Sequence, residues 1–275
     1  MDLGEVNRNG LVLLGCGKMG SAMLAGWLAG GLAPGNVWVL DPKPSDWVSG
    51  LTGKGLNLNV ELPVAPAICM VAVKPQMMGE ALPRLQALGN GKTLFLSIAA
   101  GTSIAAFEAV LGAGTPIVRA MPNTPAAVGH GITALYGNHQ SNQQHMQLAE
   151  TLLSAIGQTV RLDAESEMDA VTAVSGSGPA YVFHLIETLA AAGEAEGLPA
   201  ELAMKLALVT VAGAGDLAEN ASESVTELRV NVTSPGGTTE AALKVLMDTE
   251  TGFPALMKRA VRAAAARGRE LGRMP

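Results

Sequence analysis

The stretch "LVLLGCGKMGSAM", residues 11–23, sets Gly15, Gly17 and Gly20 at G-x-G-x-x-G spacing between an apolar run and a helical pattern. Glycines so spaced answer three separate demands of a strand that turns directly into a helix. The first permits the tight turn, the second lets the backbone approach a pyrophosphate, and the third lets helix and strand pack closely. Asp41 closes the next strand-like run 21 residues beyond Gly20, where a carboxylate can accept hydrogen bonds from a ribose. Dinucleotide binding is therefore expected, with Gly15, Cys16, Gly17, Lys18, Met19 and Gly20 around the phosphates at a helix N-terminus. Asp41 favours a free ribose 2′-hydroxyl and repels a 2′-phosphate unless a cation such as Lys43 intervenes, so NADH stands as the alternative to NADPH.

The pattern after this motif is an alternation. Strands are expected at Leu11–Gly15, Val37–Asp41, Ile68–Val73, Thr93–Ile98 and Pro116–Met121, with a weaker pair at Ile132–Tyr136 and Gln158–Leu162. Helices are expected at about Gly20–Ala29, Gln76–Leu88, Ser103–Leu111 and Asn142–Ile156. Such alternation reads as βαβ units around a mostly parallel sheet. From about Glu167 the strands stop and Ala-, Leu- and Glu-rich helices run to the end, so the reading is an α/β domain, 1–164, followed by an all-α domain, 165–275.

Composition removes several functions. With 48% apolar residues in a 275-residue chain there is ample material for a core. A net charge of −6 opposes a dedicated nucleic-acid binder, which needs surplus cations to displace counterions. Met19 to Leu40 is free of charge, but Gly30-Gly31 and Pro34-Gly35-Asn36 break it, which rejects a membrane span. Cys16 and Cys69 lie in apolar surroundings and read as free buried thiols of a cytoplasmic protein, with no disulfide framework and no metal site. The polar N-terminus does not read as a signal peptide.

Three further loops fall at the carboxyl ends of expected strands, the edge where α/β folds bind ligands. "VAVKPQ" carries Ala72, Val73, Lys74 and Pro75, "SIAAGTS" carries Ala99 and Ala100, and "RAMPNTPAAVGHG" carries Asn123 and Thr124 between two prolines. Small residues such as Ala99 and Ala100 would let a nicotinamide ring lie flat. "SGSGPAY", from Ser175, interrupts the start of the helical part with glycine and proline. Last, "NVTSPGGTTEAAL", residues 231–243, sets hydroxyls and glycines before a fresh helix. Such a turn suits an anion: first-turn N–H groups, hydroxyl donors and the positive end of the helix dipole. Its alternative use is capping, with Thr238 or Thr239 as N-cap.

In order and spacing, "GCGKMGSAM", "AVKPQ", "RAMPNTPA", "DAVTAVSGSGPAYVF" and "NVTSPGGTTEAAL" resemble the pyrroline-5-carboxylate reductase family over nearly the whole chain. The resemblance implies a Rossmann domain followed by an all-helical dimerisation domain that interleaves with a partner's, with NADPH usually preferred. It implies reduction of pyrroline-5-carboxylate to L-proline, Thr239 as hydrogen-bond partner of the ring nitrogen, and a substrate site of Ser234, Gly236, Gly237, Thr238, Thr239 and Ser175. Asn231 falls to the cofactor. Two departures stand out: Asp41-Pro42 occupies positions that are often polar or basic, and Leu56–Pro66 looks shortened, so no residue there is carried over. A β-hydroxyacid dehydrogenase of the 6-phosphogluconate type is the alternative. Such enzymes use a lysine early in the second domain, and Ser175–Ile186 has none.

The C-terminal segment completes the reading. Residues 253–275 carry Lys258, Arg259, Arg262, Arg267, Arg269 and Arg273 against Glu270 alone, while residues 182–250 carry eleven acids against Lys205, Arg229 and Lys244. Leu256, Ala260, Val261, Ala264 and Leu271 recur at helical spacing, so this helix is expected to pack against acidic helices. The resemblance implies that those helices belong partly to a second chain, in a homodimer or higher homo-oligomer.

Overall fold

The computed structural model describes residues 3–272; Arg273, counted above among the basic residues, lies outside them. Eight strands form one sheet in the order β3-β2-β1-β4-β5-β6-β7-β8. These are β1 (Leu11–Leu14), β2 (Val37–Leu40), β3 (Asn57–Leu58), β4 (Ile68–Val71), β5 (Leu94–Ser97), β6 (Ile117–Met121), β7 (Gly131–Gly137) and β8 (Gly157–Arg161). All neighbours are parallel except β6 and β7. The seven expected strands are present, and β3 is an addition: it has two residues, too few for any period to show.

The order reverses between β2-β1 and β4-β5, which makes the β1/β4 junction the switch point where such sheets bind ligands. Register aligns the edge, since Leu14 sits beside both Leu40 and Val71. The turns after β1, β2 and β4 therefore open at one level. Along β1, Leu11 and Leu13 enter one core and Val12 and Leu14 the other, so both faces are covered. On the first face lie Met23, Leu24 and Trp27, whose indole N–H donates to the Leu152 carbonyl at 2.8 Å. Phe107 and Leu111 lie on the second.

The helices of this half are α1 (Gly4–Asn9), α2 (Lys18–Ala29), α3 (Asp46–Gly50), α4 (Met78–Ala81), α5 (Ile104–Leu111), α6 (Gln143–Leu153) and α7 (Met168–Val171). The helix expected over Gln76–Leu88 is broken: only α4 is α-helical, between 3-10 turns at Pro75–Met77 and Leu82–Leu88. Pro83, without an N–H to donate, explains the break after α4. His145 is half-buried and caps α6: its Nδ1 accepts from the Asn142 N–H while Asn142 Oδ1 accepts from the His145 N–H. Burial pushes its pKa down. Cys16 and Cys69 are free and buried, and burial raises both thiols.

Helices α8 (Gly178–Ala195), α9 (Ala200–Asn220), α10 (Val225–Asn231), α11 (Thr238–Leu246) and α12 (Phe253–Leu271) complete the chain. By its internal contacts the chain divides into residues 1–176 with 265–275, and residues 177–264. This division falls later than the expected 164/165 boundary, and the end of α12 belongs to the first unit. In the second unit, α8 and α9 pack through Ala190, Ala203 and Ala207 with Ile186. That core is small, and Phe183, Leu208, Val209 and Val245 stand exposed in the single chain. On α12 in the single chain Ala265 is buried, Ala260, Val261 and Ala264 are half-buried, and Leu256 and Leu271 are exposed. No helix of the described residues is long and apolar enough to cross a membrane.

Candidate active site

At the switch point the three glycines do different work. Gly15 has φ +84°, and a Cβ there would lie 2.8 Å from Val73 Cγ1. Only glycine combines that backbone with that contact. A Cβ on Gly20 would sit 2.7 Å from the Gly15 carbonyl oxygen, so the first turn of α2 can lie against the loop only without a side chain. At Gly17 nothing lies within 4 Å of such an atom. Open space over a backbone at the N-terminus of the twelve-residue α2 fits a dinucleotide pyrophosphate. Lys18 and Met19 form the first turn of that helix, with Lys18 exposed.

Cys16 is buried beneath this loop, its thiol 3.5 Å from Ser21 Oγ, which in turn donates to the Cys16 carbonyl at 2.9 Å. The thiol is a prop for the turn. Asp41 is half-buried at the end of β2 and is already engaged: Oδ2 accepts from the Cys16 N–H at 2.7 Å and Oδ1 from the Lys43 N–H at 2.8 Å. Its carboxylate thus ties the β2 turn to the glycine loop. Lys43 itself is exposed.

Behind Asp41 stands a residue that sequence reasoning missed. Asn59, at φ +53°, accepts from the Asp41 N–H through Oδ1 at 3.0 Å and donates from Nδ2 to the Asp41 carbonyl at 2.8 Å. Asn tolerates the left-handed conformation better than most residues, the one local signal that marked it. It falls in Leu56–Pro66, from which no residue was carried over.

Ala72, Val73, Lys74 and Pro75 follow β4; the Ala72 N–H donates to the Leu14 carbonyl at 2.8 Å, which closes the switch point from the other side. Lys74 and Pro75 are exposed. Ala99 is buried and Ala100 exposed in the turn between β5 and α5. After β6, Asn123 links two of the loops: Nδ2 donates to Ser175 Oγ at 3.2 Å, and Oδ1 accepts from the Ile132 N–H at 3.0 Å. Ser175 lies in a π-helical turn, Thr172–Gly176, where the α-helical ladder gains an extra residue before α8 begins. The glycines of "SGSGPAY" therefore mark a bulge at the sheet's edge, with Ser175 drawn to Asn123.

In the helical unit the Ser-Pro-Gly-Gly stretch is a tight turn that leads into a fresh helix. Ser234 to Gly237 form a turn in which the Gly237 N–H donates to the Ser234 carbonyl at 3.0 Å, with Pro235 second and Gly236, at φ +72°, third. This is the type II pattern. Gly237 is the N-cap of α11, with no side-chain cap, so the alternative use of the turn, capping by Thr238 or Thr239, does not occur. Both hydroxyls stand in the first turn, Thr238 exposed and Thr239 half-buried. Gly236 does not offer its N–H: Glu240 Oε2 accepts it at 2.5 Å. The groups left for an anion are the first-turn N–H groups and the Ser and Thr hydroxyls. Asn231, the last residue of α10, is exposed.

A family model described as pyrroline-5-carboxylate reductase dimerisation matches residues 165–271, and one described as NADP oxidoreductase, coenzyme F420-dependent, matches residues 11–101. The pyrroline-5-carboxylate reductase of Pseudomonas aeruginosa is 39% identical over 265 residues, 95% of this chain and 96% of that one. This chain belongs to the pyrroline-5-carboxylate reductase family. Its structure is similar to that of the Coxiella burnetii reductase, with TM-score 0.89 and 33% identity over 97% of this chain and 99% of the other. A Plasmodium falciparum reductase structure with NADP bound gives TM-score 0.81 and 30% identity over 97% and 99%. Family membership over the full length favours the reductase reading over the β-hydroxyacid dehydrogenase alternative. The two-part expectation, a Rossmann-type sheet domain and a helical dimerisation domain, agrees with both family models.

Proposed function

We propose that this chain reduces 1-pyrroline-5-carboxylate to L-proline, the last step of proline synthesis, as a cytoplasmic homodimer or higher homo-oligomer using NAD(P)H. The observation that carries the reading is the type II turn at Ser234–Gly237, running into the N-terminus of α11 in a chain whose glycine loop fits a pyrophosphate. When bound, the reduced nicotinamide supplies the hydride; the protein's share is binding and orientation.

The substrate is a small cyclic imine with a carboxylate. In this reading the N–H groups of the first α11 turn and the hydroxyls of Ser234 and Thr238 hold that anion, at the positive end of the helix dipole. Gly236 and Gly237 act through conformation and through the absence of side chains. The half-buried Thr239 hydroxyl donates a hydrogen bond to the neutral imine nitrogen and hands on the proton that this nitrogen gains as hydride reaches the carbon. Ser175, whose hydroxyl accepts from Asn123, is the remaining residue assigned to the substrate. Gly15, Gly17 and Gly20 receive the pyrophosphate, Asp41 reads the adenosine ribose, and Lys43, Lys74 and Asn231 are the other polar groups assigned to the cofactor. No covalent step and no metal are needed for this chemistry.

The test is direct. Purified protein with pyrroline-5-carboxylate should consume NADPH or NADH, followed by loss of reduced-nicotinamide absorbance, and should form proline. Absence of turnover with both cofactors would end the reading.

A further inference from the structure

Glu165 has no part in the functional reading, yet one of its oxygens ties together three segments of the sheet's carboxyl edge. Its Oε1 accepts from Arg119 Nη1 at 2.9 Å and from the Ile104 N–H at 2.9 Å. Arg119 lies in β6 opposite Ser97 of β5, and its side chain is only 10% exposed. Ile104 opens α5, directly after the turn of residues 98–103 that carries Ala99 and Ala100.

That turn is built of small residues, with Gly101 at φ +75°, and has little side-chain bulk to hold it in place. At its start the Ile98 N–H donates to the Val71 carbonyl at 3.0 Å and the Ala99 N–H to Ser97 Oγ at 3.2 Å, and three further contacts restrain its far end. Ser103 caps α5 by accepting from the Ala106 N–H, and on its outer side Gly101 lies against Leu271 and Gly272 at the end of α12. The third is Glu165. The Ile104 N–H is a first-turn donor with no partner inside its own helix, so this carboxylate, together with the Ser103 cap, holds the start of α5. Beside it a cavity of about 320 Å³ is lined by Gly101, Ser103, Arg119, Glu165, Asp169 and Arg269 among others. A guanidinium as buried as Arg119's requires its counter-ion, which fixes Glu165 as firmly as Glu165 fixes the turn.

We propose that Glu165 is a positioning residue for the cofactor: held by Arg119, it grips the Ile104 N–H and so sets the Ala99–Ala100 segment against which the nicotinamide end of the dinucleotide rests. This builds on the reading of Ala99 and Ala100 as cofactor-facing. Glu165 itself touches neither cofactor nor substrate.

The test measures the dissociation constants of NADPH and NADH by fluorescence on full-length protein, with thermal midpoint and steady-state kinetics alongside. Glu165→Ala removes the acceptor, and cofactor affinity should fall by about tenfold while the KM for pyrroline-5-carboxylate stays within about twofold. Glu165→Gln keeps an oxygen for Ile104 and should recover affinity to within about threefold of wild type. Glu165→Asp keeps the charge beside Arg119 but withdraws the oxygen from Ile104, so it should resemble Glu165→Ala, and it serves even if the alanine variant fails to fold. Wild-type cofactor affinity in Glu165→Asp, or a lowered thermal midpoint with unchanged affinity in Glu165→Ala, would make the pair merely structural. Equal losses in the glutamine and alanine variants would also overturn the positioning role. Should wild-type protein bind neither cofactor, the functional reading itself fails, a result separable from all of these.

Discussion

The two halves of the molecule bury their apolar residues in different ways. In the sheet half, Trp27, Phe95, Phe107 and the β1 and β4 side chains are at most 2% exposed, and the structure needs nothing outside itself to cover them. The helical unit has only Ala190, Ala203 and Ala207 as its buried cluster, while Phe183 is 61%, Val209 62% and Val245 71% exposed. Monomeric proteins rarely leave so many large apolar side chains uncovered. The sheet half carries a large core of its own, and the helical unit, which the dimerisation family model matches, leaves most of its apolar side chains to a partner.

Truncation is the most severe way to break that contrast. Ending the chain after Gly252 removes α12, whose last turn lies against Gly101 and Asp169 in the sheet half as well as carrying the basic face. Size-exclusion chromatography should show monomer or aggregate, and activity should be lost; an active truncated dimer would separate α12 from assembly. A paired substitution sharpens the comparison within the folded protein. Phe95→Ala, in the sheet core, should destabilise by about 3–5 kcal/mol, the range for a fully buried aromatic. Val209→Ala would cost well under about 1 kcal/mol if its site stayed exposed, and a concentration-dependent loss of stability would show that a partner covers it.

Effects at the two ligand regions are smaller. Thr239→Ala should slow reduction by about tenfold to a hundredfold, the lower part of the range for a proton donor, with cofactor affinity unchanged. Activity within about twofold of wild type would dismiss Thr239 as the donor. At the sheet edge, Asp41→Asn keeps an acceptor for the backbone N–H groups of Cys16 or Lys43 while removing the charge. The ratio of kcat/KM for NADPH over NADH should rise by about threefold to tenfold, as roughly 1 kcal/mol of repulsion toward a 2′-phosphate is relieved. An unchanged ratio would leave Asp41 as a loop clasp only.

What the sequence alone revealed was what local chemistry decides. Gly15, Gly17 and Gly20 announce the β1 turn because each answers a constraint within a few residues, and the change of period near residue 164 announces the helical part. Hidden features depend on distant partners. Strand β3 exists because Asn57 and Leu58 pair with Trp38 and Val39. Asn59 matters because Asp41 lies across from it, and Ser175 reaches Asn123 through a π-turn that no period marks. Glu165 could have been read as a helix-start acid and nothing more. The Glu240 bond to Gly236 likewise altered the list of free donors without altering the motif that drew attention to it.

The contrast between a half with a large core of its own and a helical unit with almost none is tested most directly by sedimentation of the intact chain across the concentrations used for assay. A dimer or larger assembly that holds all the activity, with turnover falling as dilution releases the 28.0 kDa chain, is the expected result. A stable monomer with full activity, its helical apolar face open to water, would contradict it.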